Sequence, residues 1–255
     1  MKILFLGTGT STGVPSLCCD CEVCLSRDPK NKRLRASILA SENGHNILID
    51  TSTDLRQQSL THRIQHIDHV LFTHHHADHV HGIDELRSFN HFNKTVIPCY
   101  ANEPTVNELK KKFSYIFSNG AVQTGGGLPQ LTLETIAEKA FNLGGVEVDP
   151  LEITHGKMTI TGYKINNTAY ITDCSDIPEK TRKKLFGLDL LIINALGFLP
   201  HPTHFNLDQA LEAIAILKPK RALLTHINHK YDHQAISKEL PRNVELAYDG
   251  LTVEV

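Results

Sequence analysis

The sequence predicts an α/β fold of four layers, in which two packed β-sheets lie between outer helices. Three observations lead to this prediction. The chain has 255 residues with 40% hydrophobic content, enough to bury a sizeable core. Strand and helix patterns alternate along it without a linker, repeat or low-complexity segment. They come in two rounds, each mostly strands followed by helices, so we expect one αββα sandwich domain over residues 1–255.

The first round opens with three predicted strand regions. Residues 2–7 (KILFLG) form an apolar strand, and residues 36–50 form a β-hairpin. The hairpin turns at Asn43-Gly44, because this dipeptide readily adopts the positive φ angles of a two-residue turn. A buried strand follows at residues 68–73 (DHVLFT), where the apolar run is continuous.

Helices complete the first round, and a second round follows. Residues 82–92 and 103–117 carry apolar residues at three- and four-residue spacing, which predicts helices. Residues 145–154, 158–165 and 168–173 then read as strands, the last pair turning at Asn166-Asn167. The remaining strand and helix patterns lie at residues 178–186, 188–195, 206–217, 221–226, 232–240 and 244–255.

Charge and composition exclude several classes of function. The 26 Lys and Arg residues nearly balance 28 Asp and Glu residues, and the isoelectric point is near 6.8. Because no strong field attracts polyanions, nucleic acid is a disfavoured partner and a small substrate is favoured. The chain shows neither a signal-peptide core nor an apolar run long enough to span a membrane, so we expect a cytoplasmic protein.

The most informative stretch is FTHHHADHVHG, residues 72–82, which contains the pattern H-x-H-x-D-H. In an extended segment alternate residues face the same way, so His74 and His76 converge on one ion. The turn that follows directs Asp78 and His79 toward a second ion, about 3.5 to 4 Å away. The alternative, a solvated loop or a set of hydrogen-bonded histidines, fits this spacing at a strand end poorly.

Three further ligand-type residues close apolar runs: His155, Asp173 and His226. Such positions lie at the rim of a sheet, and together with the first cluster they supply seven ligands for two ions. Singly, Asp173 could cap a helix and His155 could be a turn residue. Asp50 fits an orienting role, since a carboxylate that accepts a histidine N–H fixes that ligand, but it could equally cap a helix beginning near Thr53.

These motifs, in order Asp50-Thr51, THHHADH, ITHG, YITD and LLTH, resemble the metal-site motifs of the metallo-β-lactamase superfamily. The resemblance implies an αββα sandwich and a dinuclear hydrolase in which a metal-bridging hydroxide attacks the substrate. It also implies a distribution of the ligands. His74, His76 and His155 match the first metal, Asp78, His79 and His226 match the second, and Asp173 matches the bridging carboxylate.

A second cluster predicts a structural zinc site. Cys19, Cys21 and Cys24 form C-x-C-x2-C, and in a reducing compartment such thiolates bind zinc more often than they form disulfides. His229, three residues beyond His226, is the natural fourth ligand. Inert or redox-labile thiols are the alternative, and Cys18 leaves a different choice of thiolates open. With this zinc group, the chain resembles the phosphoribosyl 1,2-cyclic phosphate phosphodiesterases of bacterial phosphonate (carbon-phosphorus lyase) metabolism.

A third stretch, LPHPTHFNLDQALEAI, contains a candidate general acid. His204 precedes a predicted helix and matches the histidine given that role in these phosphodiesterases; His201 is its competitor. A general acid that protonates a departing alkoxide contributes about 10²- to 10⁴-fold. We count Asp78 with His204 as catalytic.

The sequence therefore predicts a metal-dependent phosphodiesterase that hydrolyses small cyclic phosphate diesters, namely phosphoribosyl 1,2-cyclic phosphate or 2′,3′-cyclic nucleotides. We expect two Mn²⁺ or Zn²⁺ ions in the active site and one structural Zn²⁺. The resemblance also implies a homodimer. Alternatives are a tRNA 3′-processing endonuclease, although the segment TGGGLP (124–129) is short and not basic, a thioester or lactam hydrolase, and an inactive metal-binding scaffold.

Overall fold

The computed structural model describes residues 1–118 and 127–255, so the first half of the TGGGLP segment (124–126) lies outside the described residues. Two seven-stranded sheets pack face to face. The first has the order β14-β1-β2-β3-β4-β5-β6, and the second has the order β13-β12-β11-β10-β9-β8-β7. The strands of the first sheet are β1 (Lys2–Gly7), β2 (Ser37–Glu42), β3 (His45–Ile49), β4 (His69–Leu71), β5 (Ile97–Ala101), β6 (Leu131–Thr135) and β14 (Thr252–Glu254). Those of the second are β7 (Phe141–Leu143), β8 (Val146–His155), β9 (Met158–Ile165), β10 (Thr168–Ile171), β11 (Leu190–Asn194), β12 (Arg221–Thr225) and β13 (Val244–Leu246).

Helices cover the outer faces of both sheets, which confirms the predicted αββα sandwich. They are α1 (Glu22–Leu25), α2 (Leu55–His62), α3 (Ala77–Val80), α4 (Leu86–Asn93), α5 (Glu103–Lys112), α6 (Ser114–Phe117), α7 (Glu179–Leu185), α8 (Leu207–Leu217) and α9 (His233–Ser237). In the described part of the chain, none of them is long and apolar enough to cross a bilayer.

Within residues 1–118 and 127–255, three apolar cores hold the layers together, and β11 shows how one strand contributes to two of them. Leu190 and Ile192 enter the core between the sheets, whereas Leu191 and Ile193 enter the core beneath the helices of the second sheet. Because successive side chains of a strand point to opposite faces, a strand buried on both sides must be apolar throughout.

Several predicted elements appear with the expected boundaries, and others differ. The hairpin turns at Asn43 and Gly44, with φ angles of 51° and 81°. The helix predicted over residues 103–117 is instead interrupted at Phe113, whose side chain is buried in the core under α5. The segment predicted over residues 244–255 divides into β13, which pairs with β12 in the second sheet, and β14, which pairs with β1 in the first.

Three candidate site residues follow strands in the left-handed region of backbone space. Asp50 after β3, Asp173 after β10 and His226 after β12 have φ angles of 65°, 55° and 54°. This conformation is uncommon for residues other than glycine and turns the chain sharply. The turns place these side chains at one edge of the sandwich.

Candidate metal centre

The first group of donors comprises His74, His76 and His155. One ligand atom from each lies within 4.8 Å of the others. His74 and His155 are buried, and the His74 and His76 ring centroids are 4.6 Å apart. His74 and His76 reach this position from the segment after β4, whereas His155 ends β8 in the opposite sheet.

The second group comprises Asp78, His79, Asp173 and His226, again within 4.8 Å of one another. Nε2 of His79 lies 3.2 Å from Oδ2 of Asp78 and 3.3 Å from Oδ1 of Asp173. Nδ1 of His226 lies 3.2 Å from the same Asp173 oxygen. These spacings match donor atoms that surround one ion at about 2.0 to 2.2 Å each.

Asp173 lies between the two groups. Its Oδ1 faces His79 and His226, whereas its Oδ2 lies 3.9 Å from Nε2 of His74. The structure therefore places this carboxylate within reach of both donor groups. Asp173 does not cap a helix, because α7 begins only at Glu179.

The electrostatics of the centre fit bound cations. Nε2 of His74 and Nε2 of His79 are buried without a hydrogen-bond partner, an arrangement that costs free energy unless a ligand occupies them. Burial lowers the pKa of His74 well below its usual value, which keeps its nitrogen free to bind. Burial alone would lower the pKa of His79, but Asp173, Asp78 and Asp50 outweigh it and raise the pKa well above its usual value.

The distal nitrogens of the histidines are held by groups outside the donor sets. Nδ1 of His79 lies 2.7 Å from Oδ2 of Asp50, and Nδ1 of His155 lies 2.8 Å from the carbonyl oxygen of Thr203. Such contacts fix the tautomer and orientation of a metal-binding imidazole. Asp50 is not a helix cap, since α2 begins at Leu55.

Two threonine hydroxyls act in the same way, and the sequence did not single them out. Thr73 Oγ1 lies 2.9 Å from Nδ1 of His74, and Thr10 Oγ1 lies 3.2 Å from Nε2 of His226. Adjacency to His74 could have indicated Thr73. No sequence signal indicates Thr10, which is 216 residues from its partner.

His204 lies against the shared carboxylate. Its Nε2 is 3.1 Å from Oδ2 of Asp173, and its ring stacks on His226 with centroids 5.0 Å apart. His201 is exposed and lies behind it, with the two Nδ1 atoms 3.1 Å apart. Of these two histidines, His204 is therefore the one that faces the donor groups directly.

The four predicted zinc ligands form a separate group. Nδ1 of His229 lies 3.1, 3.5 and 3.4 Å from the sulfur atoms of Cys19, Cys21 and Cys24. The backbone N–H of Cys24 is the main cause of a pKa of about 6 for Cys21, which favours the thiolate that zinc binds. Burial raises the pKa of Cys24 to about 11. Cys18 is exposed and is not part of this group.

Residues 45–227 match the family described as beta-lactamase superfamily domain, which is more than half of the chain. The chain belongs to the beta-lactamase superfamily. Within it, the chain shares 38% identity and a TM-score of 0.93 with a solved diphosphatase of the PhnP family, covering 100% of this chain and 97% of the other. This level of identity over nearly the full length places the chain in the PhnP family of the superfamily.

Two other proteins are similar to the chain, one over part of its own length and one at lower identity. An octanoyltransferase of Porphyromonas gingivalis (strain ATCC BAA-308 / W83) is 37% identical over 98% of this chain but 51% of its own length. The chain thus spans about half the length of this curated relative, whose name describes a protein about twice as long. Zn²⁺-bound PqqB from Methylobacterium extorquens, at 21% identity and a TM-score of 0.82 over 100% of both chains, shares the fold.

Proposed function

We propose that the chain is a metal-dependent phosphodiesterase that hydrolyses small cyclic phosphate diesters. The observation that carries this proposal is the pair of donor groups that meet at Asp173, with His204 Nε2 only 3.1 Å from that carboxylate. Membership of the family that includes a diphosphatase supports chemistry at phosphorus. The net charge of -2 favours a small substrate over a nucleic acid.

The two donor groups would hold two divalent ions, either Mn²⁺ or Zn²⁺. When bound, such ions supply a water-derived nucleophile at neutral pH and stabilise charge on phosphoryl oxygens. The chain's own contribution is to fix the donors. The side chains of His79 and Asp50 are completely buried. Asp173 faces both donor groups, through His74 of the first and His79 of the second. A third ion, Zn²⁺, would be held by Cys19, Cys21, Cys24 and His229.

His204 provides the proton for the leaving oxygen in this proposal. Its Nδ1 lies 2.8 Å from Thr203 Oγ1, so the ring is held from behind while Nε2 points into the centre. An alkoxide is a poor leaving group, and ring opening of a cyclic diester must expel one. Protonation at that oxygen therefore contributes to the rate, by about 10²- to 10⁴-fold in comparable cases.

Hydrolysis of a phosphoanhydride is the second candidate, because the relative at 38% identity is a diphosphatase. The two reactions share the attack on phosphorus but differ in the leaving group. A phosphate ester leaves readily without a proton, whereas an alkoxide does not. Dependence on His204 therefore separates a diester substrate from an anhydride substrate.

The test is turnover by metal-reconstituted protein, with elemental analysis of the same sample. The substrates are bis(p-nitrophenyl) phosphate, 2′,3′-cyclic AMP and ADP. His76→Ala, which removes a half-buried donor, serves as the matched inactive control.

Hydrolysis of 2′,3′-cyclic AMP in excess of ADP supports the proposal, and the reverse order favours the diphosphatase. If fully metallated protein hydrolyses neither substrate, a reaction at phosphorus is excluded and thioester or lactam hydrolysis remains. Binding of tRNA that weakens steeply with salt would instead favour the endonuclease.

A further inference from the structure

Thr10 contacts the second donor group from the far side. Its hydroxyl oxygen lies 3.2 Å from Nε2 of His226, and both side chains are buried, at 7% and 1% exposure. The Thr10 side chain is thus removed from solvent and directed at a candidate metal ligand.

The other nitrogen of the same ring faces the donors. Nδ1 of His226 lies 3.2 Å from Oδ1 of Asp173, which also lies 3.3 Å from His79. A ligating nitrogen carries no proton, so Nε2 holds the proton of a neutral His226 ring. Nε2–H then donates to the Thr10 hydroxyl.

The backbone around Thr10 is paired with the backbone around His226, so the contact is not free to drift. The N–H of Thr10 donates to the carbonyl of Ile227 at 3.1 Å, and the N–H of Ile227 donates to the carbonyl of Thr8 at 2.9 Å. On its other side this segment packs against the backbone of Arg33. A Cβ at Gly9 would lie only 2.9 Å from the Arg33 carbonyl oxygen. The hydroxyl is therefore held at a fixed distance from the ring.

We propose that Thr10 is a positioning residue for His226. Its hydroxyl accepts the Nε2–H bond, selects that tautomer and holds Nδ1 toward Asp78, His79 and Asp173. The inference rests on the proposed metal centre and deepens it, because Thr10 lies outside the set of ligands.

Three variants test the role of the hydroxyl. Thr10→Val keeps the shape and removes the hydroxyl, Thr10→Ser keeps the hydroxyl, and Thr12→Val is the matched control. Thr12 lies in the same turn but bonds the carbonyl of Gly13 and the hydroxyl of Ser16. Thr10→Ala replaces Thr10→Val if the valine variant does not fold, as judged by circular dichroism.

Metal affinity is the first readout. Chelator-stripped protein is titrated with Mn²⁺, and free Mn²⁺ is measured by electron paramagnetic resonance. Thr10→Val is expected to weaken one of the two active-site affinities by about 10- to 100-fold, the usual effect of removing a group that orients a metal-binding histidine. Thr10→Ser and Thr12→Val are expected to bind both ions as the unmodified chain does.

The tautomer of His226 is the second readout, measured by long-range ¹H–¹⁵N correlation on histidine-labelled protein. The proposal requires the Nε2–H form in the unmodified chain and in Thr10→Ser, with a mixed population in Thr10→Val. Unchanged affinity in Thr10→Val, or equal losses in all variants, overturns it. Failure of the proposed function would give a different result. The unmodified chain would then bind both ions, and Thr10→Val would still weaken one affinity, but no variant would hydrolyse a cyclic diester.

Discussion

Nδ1 of His79 lies 2.7 Å from Oδ2 of Asp50, and neither side chain has any exposure. Asp50 also accepts the N–H and the hydroxyl of Thr73, each at 2.8 Å. A carboxylate with three donors cannot rotate freely. His79 is therefore fixed with Nδ1 protonated and Nε2 directed at Asp78 and Asp173.

Asp50→Asn is expected to weaken binding of the second ion by about 10- to 100-fold, because an amide lacks the charge that holds the His79 N–H. Isothermal titration with Mn²⁺ measures the change. Asp68→Asn is the matched control, since Asp68 accepts the N–H of Asn46 at the opposite end of β4. Equal affinities for the two variants would show that Asp50 does not orient His79.

His204→Ala is expected to leave the metal content unchanged and to slow hydrolysis according to the leaving group. Loss of a general acid lowers turnover of 2′,3′-cyclic AMP by about 10²- to 10⁴-fold. The loss should be much smaller for bis(p-nitrophenyl) phosphate, whose p-nitrophenolate leaves without a proton. His204 also lies within 4.8 Å of donors from His155 and Asp173, so loss of an ion in this variant would instead identify it as a ligand.

Cys24→Ser is expected to remove one zinc per chain and to lower the temperature of unfolding, because the thiolate group joins α1 to the segment after β12. Elemental analysis and differential scanning calorimetry measure both effects. Cys18→Ser is the control: its thiol is exposed and outside the group, so zinc content and stability should not change. Zinc loss in Cys18→Ser would show that Cys18 is a ligand.

His233 is expected to make the chain sensitive to acid. Burial and the neighbouring Arg33 guanidinium, 3.2 Å from Nδ1, lower the pKa of His233 from 6.5 to about 4. As the pH falls, His233 therefore takes up a proton in the unfolded chain before it does so in the folded chain. The free energy of unfolding falls as pH drops from 6.5 toward about 4 and then levels off.

His233→Gln should remove this part of the pH dependence, roughly 2 kcal/mol after allowance for solvent screening. Urea unfolding of chelator-treated protein at a series of pH values measures it. His91→Gln, at an exposed position, is the matched control. Parallel curves for His233→Gln and the unmodified chain would contradict the assignment.

Local sequence patterns predict the layers of the fold, but they do not predict which distant strands pair within a sheet. The β3 residues Ile47 and Ile49 face the inner core and Leu48 faces the outer one, which an apolar strand between two layers requires. The pairing of β14 with β1 joins residues near opposite ends of the chain. Hydrophobic periodicity contains no information about such long-range pairing.

The same distinction applies to the metal centre. H-x-H-x-D-H places His74, His76, Asp78 and His79 by local geometry alone, and strand ends indicate His155 and His226. The hydroxyl of Thr10 could not be found in this way, because threonine is common in turns and its role depends on a partner 216 residues away. The end of a strand indicated Asp50 as an orienting group, whereas only tertiary packing brings Thr10 to its ligand.

The left-handed backbone at Asp50, Asp173 and His226 has a different cost for each kind of residue. Glycine adopts this conformation freely and aspartate or asparagine adopts it at little cost, whereas most other residues lose roughly 1–2 kcal/mol. A library of chelator-treated protein screened only for survival at high temperature should therefore replace His226 with glycine or asparagine before either aspartate changes. The survivors would retain the sandwich and lack one donor of the second group.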